Sequence, residues 1–216
     1  RFERVYNMQL IQHYGMSEGG TVAGNHHQTR KIGSVGMPGI GQNLTIVDED
    51  GNVQPRGMEG EIEIGGPQNA TAYLNPDGSI EEVRGKSLKT GDLGVLDEDG
   101  FLRVTGRAKD LVIRGGVNIA PLEIDNAITK HDDVMEACTI GVPDDIYGEA
   151  LVCYVVPRTN RPLTADIIKS HCSAVLPDFK QPSEIHIVDD IARNDRGKPD
   201  RNTMKNLWLS ENGESA

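Results

Sequence analysis

The chain has 216 residues, 37% of them hydrophobic and 25% charged, a balance that predicts one or two folded domains and excludes a disordered tail. Its formal net charge of −11 argues against a nonspecific nucleic-acid surface, because neutralising phosphates needs clustered Lys and Arg. No apolar run reaches the length of a membrane span and no signal-peptide pattern opens the chain, so we expect a soluble, cytoplasmic protein.

The first half of the chain, up to about Lys109, is rich in glycine and built from short β-type runs. These runs lie at residues 44–47, 61–64, 93–96 and 101–104. Two acidic turns, at residues 48–52 and 97–100, place Asp-Gly between apolar runs, where glycine supplies a positive φ and aspartate bonds its own backbone. They lack the ligand spacing of an EF-hand, so the pattern favours plain turns over calcium sites.

After Asp110 the pattern changes to helices alternating with strands. Pro121 can open a helix, and Thr164 can cap a second one. The first helix should bury Ile124, Ala127 and Ile128, and the second should bury Ile168, Cys172, Val175 and Leu176. Strands are expected at residues 134–142, 151–156 and 184–188, and residues 210–216 are expected to fray. This order predicts a compact α+β domain that begins at Asp110.

Three cysteines, Cys138, Cys153 and Cys172, lie in apolar stretches of this second half. They are odd in number and lack Cys-x-x-Cys spacing, so neither a zinc site nor a disulfide framework is indicated. The pattern predicts buried free thiols.

Four polar segments can carry chemistry: residues 14–18 (Tyr-Gly-Met-Ser-Glu), 90–92 (Thr-Gly-Asp), 106–124 and 193–201. Taken singly, the first is a turn, and the second ends a segment with a turning aspartate able to accept hydrogen bonds from sugar hydroxyls. The third has glycines at both ends and fixed charges, as a hinge does. The fourth presents Lys198, a compact cation for phosphate or carboxylate, although charge alone favours a solvated loop.

Taken in order, these segments resemble the superfamily of adenylate-forming enzymes, which includes acyl-CoA synthetases, nonribosomal peptide synthetase adenylation domains and firefly-type luciferases. Residues 33–38 (Gly-Ser-Val-Gly-Met-Pro) and 60–66 (Gly-Glu-Ile-Glu-Ile-Gly-Gly) match in the same order. The resemblance implies an α+β fold in which residues 1–109 are the β-rich end of a large N-terminal adenylating domain. Residues 110–216 would be a small, mobile α+β C-terminal lid domain, with its hinge at Asp110.

The resemblance also implies a nucleotide site in the first half. Tyr14 and Gly15 should line the pocket for ATP or AMP, and Ser17 should approach phosphate. Glu18 should hold Mg²⁺, an ion that prefers such hard oxygen ligands. Asp92 falls on the family's ribose-binding aspartate.

By the same resemblance, Arg107 is the arginine that accompanies the ribose-binding aspartate at the end of the large domain. Lys198 is the catalytic lysine of adenylation, together with Ser17 and Glu18. Gly115 and Gly116 should let the pantetheine arm of coenzyme A pass close to the backbone, a role that is compatible with a tight β-turn at the same residues.

The implied activity is that of an AMP-forming acid-thiol ligase, which activates a carboxylic acid to an acyl-adenylate with release of pyrophosphate and then forms acyl-CoA and AMP. Residues 113–116 and 197–201 look like the CoA-ligase versions of their motifs, which favours coenzyme A as acceptor. An adenylation domain that loads an acyl carrier protein is the alternative within the superfamily. The residues do not name the carboxylic acid.

One expected element does not occur in the 216 residues: the Ser/Thr/Gly-rich phosphate loop that ends in Pro-Lys-Gly. Since the sequence also does not begin with Met, we expect the rest of the large domain to lie upstream of Arg1 or on a partner chain. The alternative from another functional class is a noncatalytic fragment or partner subunit.

Overall fold

The computed structural model describes residues 2–158 and 162–213. The chain forms two compact units, Arg1–Ala108 and Lys109–Ala216, each with its own core. Asp110 is thus the second residue of the second unit, and its role as a hinge stays a prediction. Among the helices that the structure describes, none is long and apolar enough to cross a bilayer.

The first unit consists mainly of antiparallel strands. After helix α1 (Phe2–Tyr6), its strands are β1 (His13–Met16), β2 (Gly20–Gly24), β3 (Met37–Pro38), β4 (Asn43–Val47), β5 (Glu59–Gly65), β6 (Ala72–Leu74), β7 (Ile80–Glu82), β8 (Leu88–Leu96) and β9 (Leu102–Arg107). They form a sheet β1-β2-β3, a sheet β4-β5-β8-β9 and a β6-β7 hairpin. The four β-type runs predicted in this half are confirmed.

Alternating side chains explain why these strands bury one face. In β5, Ile62 and Ile64 are fully buried, while Glu61 and Glu63, which alternate with them, are not. The two isoleucines pack in one core with Val22, Ile46 and Leu102. The two acidic turns are also confirmed, since the glycine of each has a positive φ of 86°.

The second unit is built around one mixed sheet. Its strands are β10 (Val112–Arg114), β11 (Val117–Ile119), β12 (Val134–Asp144), β13 (Gly148–Pro157) and β14 (Glu184–Ile187), and its helices are α2 (Pro121–Ile128), α3 (Ala165–Val175) and α4 (Arg201–Asn212). The sheet order is β11-β10-β13-β12, with β14 parallel to β13. The α+β class predicted from the sequence is confirmed.

Both faces of this sheet are covered, and this explains the nearly continuous apolar runs of β12 and β13. Leu151, Cys153 and Val155 pack against α2 and α3. Val152 and Tyr154 point to the opposite face, where Met204 of α4 packs. All three cysteines are buried and free, as predicted.

Two expectations for the helices need correction. Thr164 caps α3 as predicted, accepting a hydrogen bond from Ile167 N at 3.4 Å, but Val175 is 48% exposed. The helix ends at Val175, and the extended backbone of Leu176 turns that side chain into the core instead. Fraying was expected from residue 210, whereas α4 continues to Asn212; residues 214–216 lie outside the described part of the chain.

Candidate active site

Tyr14, Asp92 and Arg107 meet in the first unit. Tyr14 lies on strand β1 and not in the turn expected for residues 14–18. Its hydroxyl donates a hydrogen bond to Asp92 Oδ2 at 2.7 Å, and Arg107 Nε donates to Asp92 Oδ1 at 2.9 Å. Asp92 and Arg107 are direct cross-strand partners in β8 and β9, so the register of the sheet sets this pair.

Within this cluster, Tyr14 is held in its protonated form. Burial, reinforced by the hydrogen bond to Asp92, raises the pKa of Tyr14 above its usual range, so the phenol remains a donor. An ionised carboxylate offers about four lone-pair sites, and the two donors here take one on each oxygen. Acceptor capacity therefore remains for the hydroxyls of a ligand.

A bulge in β8 presents Asp92. Glu61 pairs with Leu93 and Glu63 with Lys89, so three residues of β8 oppose the single residue Ile62. Gly91 at the centre has a φ of 73°, a conformation that favours glycine. The Thr90 hydroxyl donates to Ile62 O at 2.9 Å and accepts from Asp92 N at 3.1 Å. Thr-Gly-Asp therefore interrupts a long strand, where the sequence had suggested the end of a segment.

Ser17 and Glu18 lie in the tight turn between β1 and β2. The backbone oxygen of Glu18 accepts a hydrogen bond from Ala70 N at 2.6 Å, which anchors the turn. Ser17 is exposed and Glu18 half-buried. Gly15 has a packing reason of its own, because a Cβ there would lie 2.3 Å from Gly20 O. That contact accounts for glycine at this position without any ligand.

The surroundings of Glu18 test whether a metal fits. Within residues 2–158 and 162–213, no group of three or more His, Cys, Asp or Glu side chains is placed to hold an ion. Mg²⁺ in nucleotide enzymes is bound by one or two carboxylates together with the phosphates. A single carboxylate therefore fits a magnesium ion that binds with a nucleotide, and not a metal cage made by the protein.

Lys198 lies in a loop of the second unit that is closed at its base. Asp200 N donates to Ala192 O at 2.8 Å, and Arg193 forms an antiparallel bridge with Pro199. The Lys198 backbone is bonded on both sides, while its side chain is exposed and forms no ion pair with any residue that the structure describes. The segment read as a solvated loop thus has a fixed backbone and a free cation.

Gly115 and Gly116 form the two-residue turn of the β10–β11 hairpin. Arg114 pairs with Val117, and the φ values of 58° and 81° suit a type I′ turn. Gly115 N donates to Tyr147 O at 2.8 Å. The turn explanation of the glycine pair is confirmed; a contact with a ligand stays a prediction.

Two aromatic residues beside this turn escaped the sequence analysis. The Arg114 guanidinium lies 5.3 Å from the ring centroid of Tyr147, and Arg114 Nη1 donates to Phe179 O at 3.0 Å. Tyr147 and Phe179 are 51% and 46% exposed. Only 4% of the residues are aromatic, and the contacts that bring Tyr147 and the Phe179 backbone to Arg114 come from residues distant in sequence, so the sequence alone carries no signal for them.

Asp110 adjoins a buried ion pair that the sequence analysis also missed. Arg201 Nε lies 3.8 Å from Asp110 Oδ2, and Arg201 Nη2 donates to Asp125 Oδ2 at 2.6 Å. Asp125 also accepts from Thr139 N at 2.7 Å. Burial raises the pKa of the Asp125 carboxyl, and the Arg201 charge opposes that shift. The available signal was a carboxylate within the apolar face of α2.

Comparison with known proteins places these residues in a family. A model described as "AMP-binding enzyme" matches residues 1–74, and one described as "AMP-binding enzyme C-terminal domain" matches residues 123–198. The chain is 34% identical over 216 residues to a probable CoA ligase, CCL9, of Humulus lupulus, covering 98% of this chain and 41% of that protein. A sulfoacetate–CoA ligase of Cupriavidus necator is 37% identical over 210 residues, with 95% and 41% covered.

A solved structure agrees with the sequence relatives. The ATP-bound crystal structure of MatB from Rhodopseudomonas palustris matches with a TM-score of 0.82 and 31% identity, over 94% of this chain and 41% of that one. The chain therefore spans about two fifths of the length of the relatives it matches. It belongs to the family of AMP-binding enzymes and carries that family's C-terminal domain at residues 123–198.

Proposed function

We propose that the protein containing this chain activates a carboxylic acid with ATP, forming an acyl-adenylate and pyrophosphate, and then transfers the acyl group to coenzyme A with release of AMP. The observation that carries this proposal is the hydrogen-bonded group of Tyr14, Asp92 and Arg107 in a chain matched by AMP-binding models. The relatives named as CoA ligases support the thiol acceptor.

In this proposal the first unit positions the nucleotide. Asp92 accepts hydrogen bonds from the ribose hydroxyls through lone pairs that Tyr14 and Arg107 leave free. Arg107 and Tyr14 hold the carboxylate in one orientation, so little entropy is lost when the ribose binds. Tyr14 and Gly15 line the pocket on the side of β1.

Ser17 and Glu18 act at the phosphates. Magnesium, when bound, screens phosphate charge while a carboxylate oxygen attacks the α-phosphorus. Glu18 offers one carboxylate to that ion, and the exposed Ser17 hydroxyl offers a hydrogen bond to a phosphate oxygen. The bond from Ala70 to Glu18 O fixes the turn that presents both side chains.

Lys198 serves adenylation. Its exposed ammonium can stabilise the negative charge that develops on the acyl oxygen and the α-phosphate, a stabilisation that grows as water is excluded. We expect Lys198→Ala to slow adenylation by about 10²- to 10³-fold, the loss typical of removing one such stabilising group. Conversion of supplied acyl-adenylate to thioester should change little, since Lys198 is assigned to the first step alone.

The acceptor thiol is assigned to the turn at Gly115 and Gly116. A Cβ at Gly116 would meet no atom within 4 Å, so this backbone is open to an approaching ligand. Arg114, Tyr147 and Phe179 beside it offer one cation and two rings, suited to an acceptor that bears phosphate and an aromatic base. Coenzyme A meets that description more fully than the phosphopantetheine of a carrier protein, which has no base.

Asp110 is proposed as the hinge at which the second unit, as a mobile lid domain, reorients between the two half-reactions. Residues 1–109 and 110–216 would then be the functional domains. The three free thiols support a reducing, cytoplasmic location.

The test is product analysis with the complete polypeptide that contains these residues, together with any subunit that copurifies, because the phosphate loop of the family is not among the 216 residues. Carboxylic acids are screened with ATP and Mg²⁺ for pyrophosphate release. Adding coenzyme A to a positive reaction should yield AMP and a thioester in equal amounts. Omitting the acid, ATP or Mg²⁺ should abolish pyrophosphate release.

Three outcomes would change the proposal. ADP and orthophosphate as products would exclude an adenylate. Turnover with a phosphopantetheine-loaded carrier protein and none with coenzyme A would transfer the activity to the carrier-loading branch. A stable polypeptide that binds a partner without ATP and releases no pyrophosphate across the screen would identify a noncatalytic subunit.

A further inference from the structure

A single residue, Asn194, bonds the backbone of Lys198 from both sides. Asn194 Oδ1 accepts from Lys198 N at 3.1 Å, and Asn194 N donates to Lys198 O at 2.9 Å. The same Oδ1 accepts from Arg196 N at 3.0 Å, and Asn194 O accepts from Gly197 N at 2.8 Å. Both polar backbone groups of the lysine are therefore held by one side chain and one peptide.

Arg193 and Gly197 support this arrangement from the rest of the loop. Arg193 Nη1 donates to Gly197 O at 3.0 Å and to Glu136 Oε1 on β12 at 3.3 Å. Gly197 has a φ of 73°, which lets the chain turn just before Lys198. The loop is thus tied to the sheet on one side and organised internally by Asn194.

Lysine is less preorganised than arginine, because its ammonium sits on a flexible four-carbon stem. When this stem is free, the position of the ammonium depends on where the Cα of the lysine lies. A misplacement of about 1 Å can cost about 100-fold in rate. Fixing the backbone on both sides therefore compensates for a side chain that must stay unpaired until it meets its ligand.

We propose that Asn194 is a positioning residue for the adenylation step and that it acts through Lys198. This inference rests on the proposed function of that lysine. The side-chain oxygen of Asn194 accepts the side-chain hydrogen bonds that organise the loop. Within the described residues, the side-chain nitrogen of Asn194 makes no hydrogen bond. Aspartate has the same shape and the same acceptor oxygen, so Asn194→Asp is the matched control for Asn194→Ala.

The experiment is a double-mutant cycle in the complete enzyme, with adenylation measured as pyrophosphate release and the second step measured from supplied acyl-adenylate. Asn194→Ala should lower kcat of adenylation by about 10-fold or more, with thioester formation and melting temperature unchanged. Asn194→Asp should retain most of the wild-type rate. In the Lys198→Ala background, Asn194→Ala should cause no further loss, because the group it positions is gone.

The cycle separates the two proposals. A Lys198→Ala enzyme that adenylates at the wild-type rate would overturn both the role of the lysine and that of Asn194. A Lys198→Ala enzyme that loses adenylation, but in which Asn194→Ala causes the same further loss as in the wild type, would overturn only the positioning role. Equal losses in both half-reactions for Asn194→Ala would likewise show a general structural effect.

Discussion

Two Asp–Arg pairs, Asp92–Arg107 in the first unit and Asp125–Arg201 in the second, differ in burial. In the first unit, the side chains of Asp92 and Arg107 are 20% and 51% exposed, and each carboxylate oxygen has one donor. In the second unit, the side chains of Asp125 and Arg201 are only 8% and 18% exposed, and the pair also bonds both backbone groups of Thr139. The same two residue types are therefore partly exposed in the first unit and mostly buried in the second.

The difference separates a binding group from a structural one. A partly exposed carboxylate with spare lone pairs can exchange water for ligand hydroxyls at little cost. A buried pair has already lost its water on folding, and removing either partner would leave the other as an unpaired buried charge. Removing Asp92 should therefore affect ligand binding, and removing Asp125 should affect folding.

The largest effect is expected for Asp125→Ala. This change leaves the Arg201 guanidinium buried without its carboxylate and should lower the free energy of unfolding by about 3–5 kcal/mol. Urea unfolding of the complete protein, followed by the fluorescence of Trp208 on α4 in a variant in which all other tryptophans are replaced, measures it. The matched control is the double variant Asp125→Leu with Arg201→Met, which should recover most of the loss because no charge remains buried. An Asp125→Ala protein within about 1 kcal/mol of wild type would contradict the structural assignment.

A smaller effect, and one of a different kind, is expected for Asp92→Ala. Loss of a charged hydrogen-bond acceptor for the ribose costs about 1.5–3 kcal/mol, so the KM for ATP should rise by about 10- to 100-fold. The free energy of unfolding should change by less than about 1 kcal/mol, as for other exposed ion pairs. Steady-state kinetics and urea unfolding on the same preparation check both. Asp92→Asn keeps one acceptor oxygen, so its KM for ATP should lie between those of the wild type and Asp92→Ala. A loss of stability without a change in KM would contradict the assignment of Asp92 as a binding group.

Sequence analysis found the first pair and missed the second for a physical reason. Asp92 and Arg107 belong to motifs whose order along the chain resembles a family, and their pairing across β8 and β9 follows from a short hairpin. Asp125 and Arg201 are separated by 76 positions, and only the tertiary fold brings them together. A lone aspartate on an apolar helix face indicates a buried partner without identifying it.

The same limit explains the other differences. The buried face of α2 was predicted because Ile124, Ala127 and Ile128 repeat with the helical period. Helix α4 went unnoticed because Met204 is its one buried residue among many polar ones, so its sequence shows no clear apolar stripe. The bulge at Gly91 and the exposed rings of Tyr147 and Phe179 likewise depend on neighbours distant in sequence.

The smallest effect is expected for Tyr14→Phe, which tests whether Asp92 needs to be held. The change removes the 2.7 Å hydrogen bond to Asp92 and keeps the ring that packs against the core, so about 0.5–1.5 kcal/mol is lost and the KM for ATP should rise about 2- to 10-fold. In the Asp92→Ala background the same change should have no effect on KM, because the acceptor is absent.

The pKa of Tyr14 gives this prediction a second measurement. Because burial raises that pKa above its usual range, the phenol stays protonated where an exposed tyrosine ionises, near pH 10. The wild-type KM for ATP should therefore not rise toward that of Tyr14→Phe as the pH approaches 10. A wild-type KM that converges on the Phe value there would mean that Tyr14 loses its proton in the ordinary range, and the cluster would then be held by Arg107 alone.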